Sequence, residues 1–265
     1  MNEKIRVVDF IAKFIADLGV NNIFMLTGTG SVYLDDALAF HPELNHVCAR
    51  HEAAAVMMAE AAAKLTGELG VVISTTGPGA TNAIGGVAEA WVDSVPLLII
   101  SGQVPAEQFL PGIRSFGIQG FNIIENVKKI TKFAEFVASP IKIRYQLEKA
   151  VHLAMSGRRG PVWLDLPMDV QTALVDPGNL ESYLVTTKPS SLSRESMDRF
   201  TENVCKAKKP LVVFGQGIRA AKANDALSDF LKRTEFPSVH TRMGSDILGE
   251  KNCLSYGLVG VRGSP

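Results

Sequence analysis

Val71-Val-Ile-Ser-Thr-Thr-Gly-Pro-Gly-Ala-Thr-Asn82 passes from a short, continuously apolar segment, through a Gly-Pro-Gly turn, into small residues at helical spacing over 79–91. The same unit recurs on either side. Upstream, Ile23-Phe-Met-Leu26 leads through Gly28-Thr-Gly30 into a helix-like stretch at 31–39, and a short strand-like segment at 46–49 leads into an Ala-rich helix at 52–66 that Gly67 ends. Downstream, Leu97-Leu-Ile-Ile-Ser101 meets Gly102-Gln103, and residues 119–127, 132–137, 141–157 and 161–166 continue the alternation. A first helix is expected over 5–18, with Ile5, Val8, Ile11, Phe14, Ile15 and Leu18 on one face and Gly19 as its stop. Short apolar strands between amphipathic helices specify an α/β domain, a parallel sheet with helices on both faces. Ligands of such sheets sit beyond the carboxyl ends of the strands, where the glycine-rich turns fall.

Residues 1–170 are read as this domain. Residues 171–192, with Asp176-Pro-Gly, Lys188-Pro and a serine run from Ser190, read as a linker. A second α/β unit is expected over 193–265: a strand at Leu211-Val-Val-Phe214, a turn at Gly215-Gln-Gly217, a helix at 221–234 and a strand at 237–241. Gly215-Gln-Gly-Ile-Arg-Ala220 fits the looser GxGxxA pattern of a Rossmann-like turn, and an ordinary strand-to-helix turn fits it equally. The unit is too short for a complete doubly wound sheet, so an incomplete Rossmann-like domain is expected.

Composition narrows the classes. Twenty-seven basic residues balance twenty-seven acidic ones, which gives no reason to expect nucleic acid or a membrane surface as partner. Cys48, Cys205 and Cys253 are far apart and form no ligand spacing, so no metal site is expected from this chain. Unpaired cysteines suit a reducing cytoplasm. Asp9, Lys13 and Asp17 interrupt the N-terminal apolar positions, against a signal peptide. No GxSxG occurs.

Glu52 follows Arg50-His51 at the start of the Ala-rich helix, where the macrodipole alone would favour an acid. The small residues Ala53, Ala54, Ala55 and Ala59 also let something flat approach, and a carboxyl held there can share a proton with a ring nitrogen. Gly77-Pro-Gly-Ala-Thr-Asn82 is either a tight turn or a helix start whose amides meet a polar ligand edge. His51 reads as a packing or hydrogen-bonding residue, and Met57-Met58 as core filling.

Read consecutively, Arg50-His-Glu-Ala-Ala-Ala55, Thr75-Thr-Gly-Pro-Gly-Ala-Thr-Asn82, Ala88-Glu-Ala-Trp-Val-Asp-Ser-Val-Pro96, Ser101-Gly-Gln-Val-Pro105, Ile130-Thr-Lys132 and Ser156-Gly-Arg-Arg-Gly-Pro-Val-Trp-Leu-Asp-Leu-Pro167 resemble thiamine-diphosphate enzymes. The closest look is to acetolactate synthase large subunits, with the pyrimidine-binding domain first and part of the central domain after it. The resemblance implies that Glu52 hydrogen-bonds N1′ of the cofactor's aminopyrimidine and so promotes loss of the C2 proton of the thiazolium. It implies cofactor contacts at Thr27, Gly28, Thr29, Thr76, Gly77, Pro78 and Asn82, with Gln119 near the thiazolium. It implies a 2-keto acid substrate, a homodimer or homotetramer, and Mg²⁺ bound through a C-terminal Gly-Asp-Gly segment that is not in this sequence. A fragment lacking that half is expected to be inactive alone; the alternatives are a related thiamine-diphosphate decarboxylase or carboligase with another substrate, and a non-catalytic pyrimidine-domain binding subunit. FAD is a candidate second cofactor, at Gly215, Gln216, Gly217, Thr241, Arg242, Met243 and the turn 258–260. The sequence departs from the family where Pro-Gly-Gly is Thr27-Gly28-Thr29, where Ile118 replaces a Phe, where an acidic pair is Gly120 and Asn122, and where Val259 replaces a His.

Overall fold

The computed structural model describes residues 3–110, 112–185, 192–249, 252–260 and 263. They form two compact units, Met1–Val185 and Thr186–Pro265.

In the first unit the chain runs β1 (Ile5–Arg6), α1 (Val7–Asp17), β2 (Asn22–Met25), α2 (Val32–Ala39), β3 (Asn45–Cys48), α3 (Glu52–Thr66), β4 (Gly70–Ser74) and α4 (Pro78–Asp93). It continues with β5 (Leu97–Gln103), α5 (Ile123–Val127), β6 (Phe133–Phe136), α6 (Ile143–Met155), β7 (Val162–Pro167), α7 (Met168–Thr172) and β8 (Leu174–Val175). Six strands form one sheet in the order β3-β2-β4-β5-β7-β6, and every pairing is parallel.

Side chains of successive strand residues point to opposite faces. Val71, Ile73, Leu98 and Ile100 therefore pack with α1, α2 and α6 on one side. Val72, Leu97, Ile99 and Trp163 pack with α3, α4 and α5 on the other. Both faces are covered, as the unbroken apolar runs require. The stripe Val7, Val8, Ile11, Ala12 and Ile15 seats α1, and each fully buried isoleucine stabilises the fold by about 1.5–3 kcal/mol. Gly67, at φ 73°, ends α3 by turning the chain left-handed. The chain leaves β2 toward β3 on one side and then returns to β4 on the other. That reversal makes the carboxyl ends of β2 and β4 the topological switch point, the place where open α/β sheets take ligands.

Several expectations are corrected. Ile5–Arg6 is a strand pairing antiparallel with Leu174–Val175, so α1 begins at Val7. Residues 171–185, within the stretch read as linker, fold onto the first unit: Gln171 is fully buried, and Val175 and Leu180 join the main core. Residues 186–191 of that stretch lie outside the described residues. The helical part of 119–127 is only Ile123–Val127, because Gln119 has φ 63° and Phe116 bridges Gly120 just before it.

The second unit begins with α8 (Arg194–Lys206), started by Ser193, whose hydroxyl accepts from the Ser196 amide. Then come β9 (Val212–Phe214), α9 (Gln216–Ala220), α10 (Asn224–Thr234), β10 (Ser238–His240) and β11 (Ser255–Leu258). The helix expected at 221–234 is α10, which starts at Asn224 because Lys222 takes φ 53°, and the turn expected at 215–217 runs on into the short α9. The three strands form a parallel sheet in the order β11-β10-β9, over a small core of Phe214, Leu227, Leu231 and Leu248.

Candidate functional site

Glu52 is the first residue of α3, at the carboxyl end of β3, and is 6% exposed. His51 before it is the helix cap, its Nδ1 accepting from the Ala53 amide at 3.1 Å, the hydrogen-bonding role expected of it. Glu52 Oε2 accepts from Asn82 Nδ2 at 3.0 Å. No hydrogen bond to Oε1 occurs among the described residues. The pairing depends on close packing of α3 on α4: a Cβ at Gly86 would stand 2.7 Å from Val56 Cβ. A Cβ at Gly79 would stand 2.6 Å from Thr75 Cγ2 and 3.3 Å from Glu52 Oε1, so glycine there keeps the flank of the carboxyl open.

The three glycine turns named from the sequence interlock around this acid. The Gly30 amide donates to Thr75 Oγ1 at 3.1 Å, and Thr76 Oγ1 donates to the Gly102 carbonyl at 3.1 Å. A Cβ at Gly102 would lie 2.1 Å from the Gly30 carbonyl oxygen. Gly77 has φ 59°, a conformation side chains resist, and a Cβ there would lie 2.2 Å from the Gln119 carbonyl oxygen. Thr76, Gly77 and the Gln119 backbone therefore meet. The side chains of Thr27, Thr29, Pro78, Asn82 and Gln119 remain exposed at this edge of the sheet.

Residues not singled out in the sequence hold these turns. Gln171 Nε2 donates to the Gly30 carbonyl at 2.7 Å, and its Oε1 accepts from the Leu34 amide. Asp35 Oδ2 accepts from Ser31 Oγ at 2.9 Å and from the Gly28 amide at 3.3 Å, while its buried Oδ1 has no partner. Burial pushes the Asp35 carboxyl up to about 6, against the lowering by those two donors. Asp165, on β7, accepts from Ser101 Oγ at 2.6 Å and from Gln103 Nε2 at 2.9 Å. Gln103 also donates to the Phe121 carbonyl, and Trp163 Nε1 donates to Ser101 Oγ at 2.8 Å. Burial raises the Asp165 carboxyl to about 7, with Ser101 and Gln103 opposing. One signal for this network was present: Asp165 interrupts an apolar strand buried on both faces, where an acid needs partners.

In the second unit, Gly215, Gln216, Gly217, Thr241, Arg242 and Met243 follow the carboxyl ends of β9 and β10. The Thr241 amide donates to the Phe214 carbonyl at 2.9 Å, and a Cβ at Gly215 would stand 2.4 Å from Thr241 Oγ1. The turn 258–260 joins them, the Val259 amide donating to the His240 carbonyl. Nothing would lie within 4 Å of a Cβ at Gly217.

Comparison with known proteins bears out the family resemblance read from the sequence motifs. Residues 5–125 match the model of the thiamine pyrophosphate enzyme N-terminal TPP binding domain, and residues 197–265 match the central domain of the same enzymes. The chain belongs to the thiamine pyrophosphate enzyme family. Among its relatives, the acetolactate synthase large subunit of Lactococcus lactis subsp. lactis is 35% identical over 96% of this chain and 44% of its own length. The acetolactate synthase isozyme 3 large subunit of Escherichia coli is 34% identical over 99% of this chain and 46% of its own. The chloroplastic acetolactate synthase of Arabidopsis thaliana is 33% identical over 97% of this chain and 38% of its own. The chain spans less than half the length of these relatives.

Proposed function

We propose that this chain supplies the aminopyrimidine-side half of a thiamine diphosphate site in a 2-keto acid decarboxylase and carboligase of the acetolactate synthase type, converting pyruvate to acetolactate. The observation that carries this is Glu52: largely buried, fixed through one oxygen by Asn82, and with the other oxygen unpaired beside Gly79.

The residues present fit the cofactor's ring. Asn82 orients the carboxyl, so Oε1 can hold or take a proton at N1′ without searching rotamers. Gly77, Pro78 and Gly79 present backbone and little bulk beside it, and Thr76 ties their turn to β5. Positioned proton transfer of this kind contributes about 10²–10⁴-fold in rate. When bound, thiamine diphosphate supplies the electron sink for decarboxylation. Thr27, Gly28, Thr29 and Gln119 stand at the edge of the sheet that the 2-keto acid would approach. The diphosphate and Mg²⁺ are assigned to protein outside this sequence, across a homodimer or homotetramer, and the chain alone is expected not to turn over. FAD is assigned to the turns at 215–217 and 241–243. Three free, exposed cysteines suit a reducing compartment, the cytoplasm, and no helix of the described residues is long and apolar enough to cross a membrane.

A second reading changes the substrate. Thr27-Gly28-Thr29 and the Ile118, Gly120 and Asn122 positions differ from the family pattern at the edge the substrate would meet, which favours a related decarboxylase or carboligase with another 2-keto acid. Isothermal titration of thiamine diphosphate with Mg²⁺, and turnover of pyruvate beside other 2-keto acids, test both readings in the full-length protein and its Glu52→Gln variant. Equal turnover by the two proteins rules out the role given to Glu52. Turnover of another 2-keto acid in preference to pyruvate establishes the second reading.

A further inference from the structure

At the opposite edge of the first sheet, before the amino ends of β4, β5, β6 and β7, lies a cavity of about 400 Å³ lined by Trp91, Val92, Lys132, Arg158 and Arg159. That volume falls in the range of small-molecule sites, and its lining is of their kind, an apolar wall with a few converging polar groups. The Trp91 indole is 39% exposed. Lys132 and Trp91 converge on Gly160, where a Cβ would stand 3.2 Å from Lys132 Cδ and 3.7 Å from Trp91 Cε3.

The three cations are anchored by neutral groups. Lys132 Nζ donates to the Ser156 carbonyl at 2.6 Å, and Arg159 to the Gly67 carbonyl at 2.8 Å. Arg158 donates to Ser94 Oγ at 2.7 Å and to the Val92 carbonyl at 3.3 Å. These acceptors stand at the C-terminal ends of α6, α3 and α4, so capping explains part of the arrangement. It does not explain the charge. Each helix end carries at most about half a negative charge, so the three ends together offset about half of the three positive charges. Asp93, which follows the lining residue Val92, is taken by Lys64 at 2.7 Å, and the same lysine holds Glu60 at 2.6 Å. None of the three cations forms an ion pair among the described residues, and burial lowers the Lys132 pKa. Each cation also keeps donors that the capping bonds do not use.

We propose that this cavity is a second binding site, for a nucleotide-like ligand whose planar ring lies against Trp91 and whose phosphates are held by Lys132, Arg158 and Arg159. Guanidinium groups match phosphate oxygens in pairs, and the indole face supplies stacking that an inorganic anion cannot use. The site is separate from the Glu52 edge and does not depend on the function proposed for it.

The test titrates ADP and inorganic diphosphate into the 265-residue chain, read by tryptophan fluorescence and by calorimetry. Trp163, the other tryptophan, is fully buried, so quenching reports Trp91. ADP is expected to quench and to bind at least about tenfold more tightly than inorganic diphosphate. Arg158→Gln, at an exposed residue, and Lys132→Met, which keeps the apolar stem, are each expected to weaken ADP about tenfold with unchanged circular dichroism. Trp91→Ala is expected to erase the preference for ADP over diphosphate, and Glu52→Gln to leave the titration unaltered. Absence of ADP binding at millimolar concentration, binding that survives the Arg158→Gln/Lys132→Met double variant, or equal affinity for ADP and diphosphate would overturn the proposal.

Discussion

Glu52, opening α3, and Asp165, on β7, are both buried carboxyls of the first unit, and they are built for different work. Asp165 is saturated: both oxygens are taken by Ser101 and Gln103, and the bonds run on to Trp163 and to the Phe121 carbonyl. Glu52 is half-satisfied, with Asn82 on one oxygen and an open flank at Gly79 on the other. An acid whose second oxygen is unpaired beside a small-residue flank is placed to meet a ligand there, whereas an acid with both oxygens taken serves the scaffold. Asp165 still serves the edge indirectly, because Gln103 ties the segment carrying Gln119 to β5 and β7.

That contrast can be broken by mutation. The largest effect is expected for Glu52→Gln in the full-length protein: turnover of the preferred 2-keto acid falls by about 10²–10⁴-fold, with little change in the thermal midpoint. Asp165→Ala should do the reverse, mainly costing stability. It strands the Ser101 and Gln103 donors at about 1–3 kcal/mol each, which a denaturant titration reads as a lower midpoint.

The pH dependence sharpens the distinction. Asp165 sits at about 7 in the folded chain against its ordinary 3.8. Between those values the folded state binds more protons than the unfolded state. The stability linked to this group is therefore full below about pH 3.8 and is lost as pH rises through about 7. Asp165→Asn should flatten that decline when unfolding free energy is measured from pH 4 to 8, and an unchanged slope would assign the decline elsewhere. Gly77→Ala is expected to cost about 1–3 kcal/mol from its positive φ. It should also speed proteolysis at 116–122, since the new methyl would meet Gln119. His51→Ala is the smallest change, about 1 kcal/mol from a lost helix cap, with turnover kept within a few-fold. A collapse of activity there would give His51 a part in the chemistry.

The strands and turns around Glu52 were legible because their signals are local. Val71–Ser74 and Leu97–Ser101 are unbroken apolar runs, and Gly28, Gly67, Gly77 and Gly102 punctuate them. What escaped was set by long-range pairing. The two-residue strand Ile5–Arg6 finds Leu174–Val175 across the whole unit, and no window of sequence contains both. Gln171 looks like any polar residue before a loop, yet it closes the turn at Gly30 from 141 positions away. The helix 194–206 hid behind its serine run, since Met197, Phe200 and Val204 are sparse apolar markers in a polar stretch. Glu52 itself could be named from the residues around it, whereas its partner Asn82 is brought to it only by the close packing of α3 on α4.

The most direct measurement is exchange of the C2 proton of thiamine diphosphate for deuterium, followed by NMR in the full-length protein with Mg²⁺. With Glu52 intact, exchange is expected to be fast, and in Glu52→Gln slower by at least about a hundredfold at matched cofactor occupancy. Equal exchange rates in the two proteins would contradict the assignment of Glu52 as the group that shares its proton with the cofactor's ring.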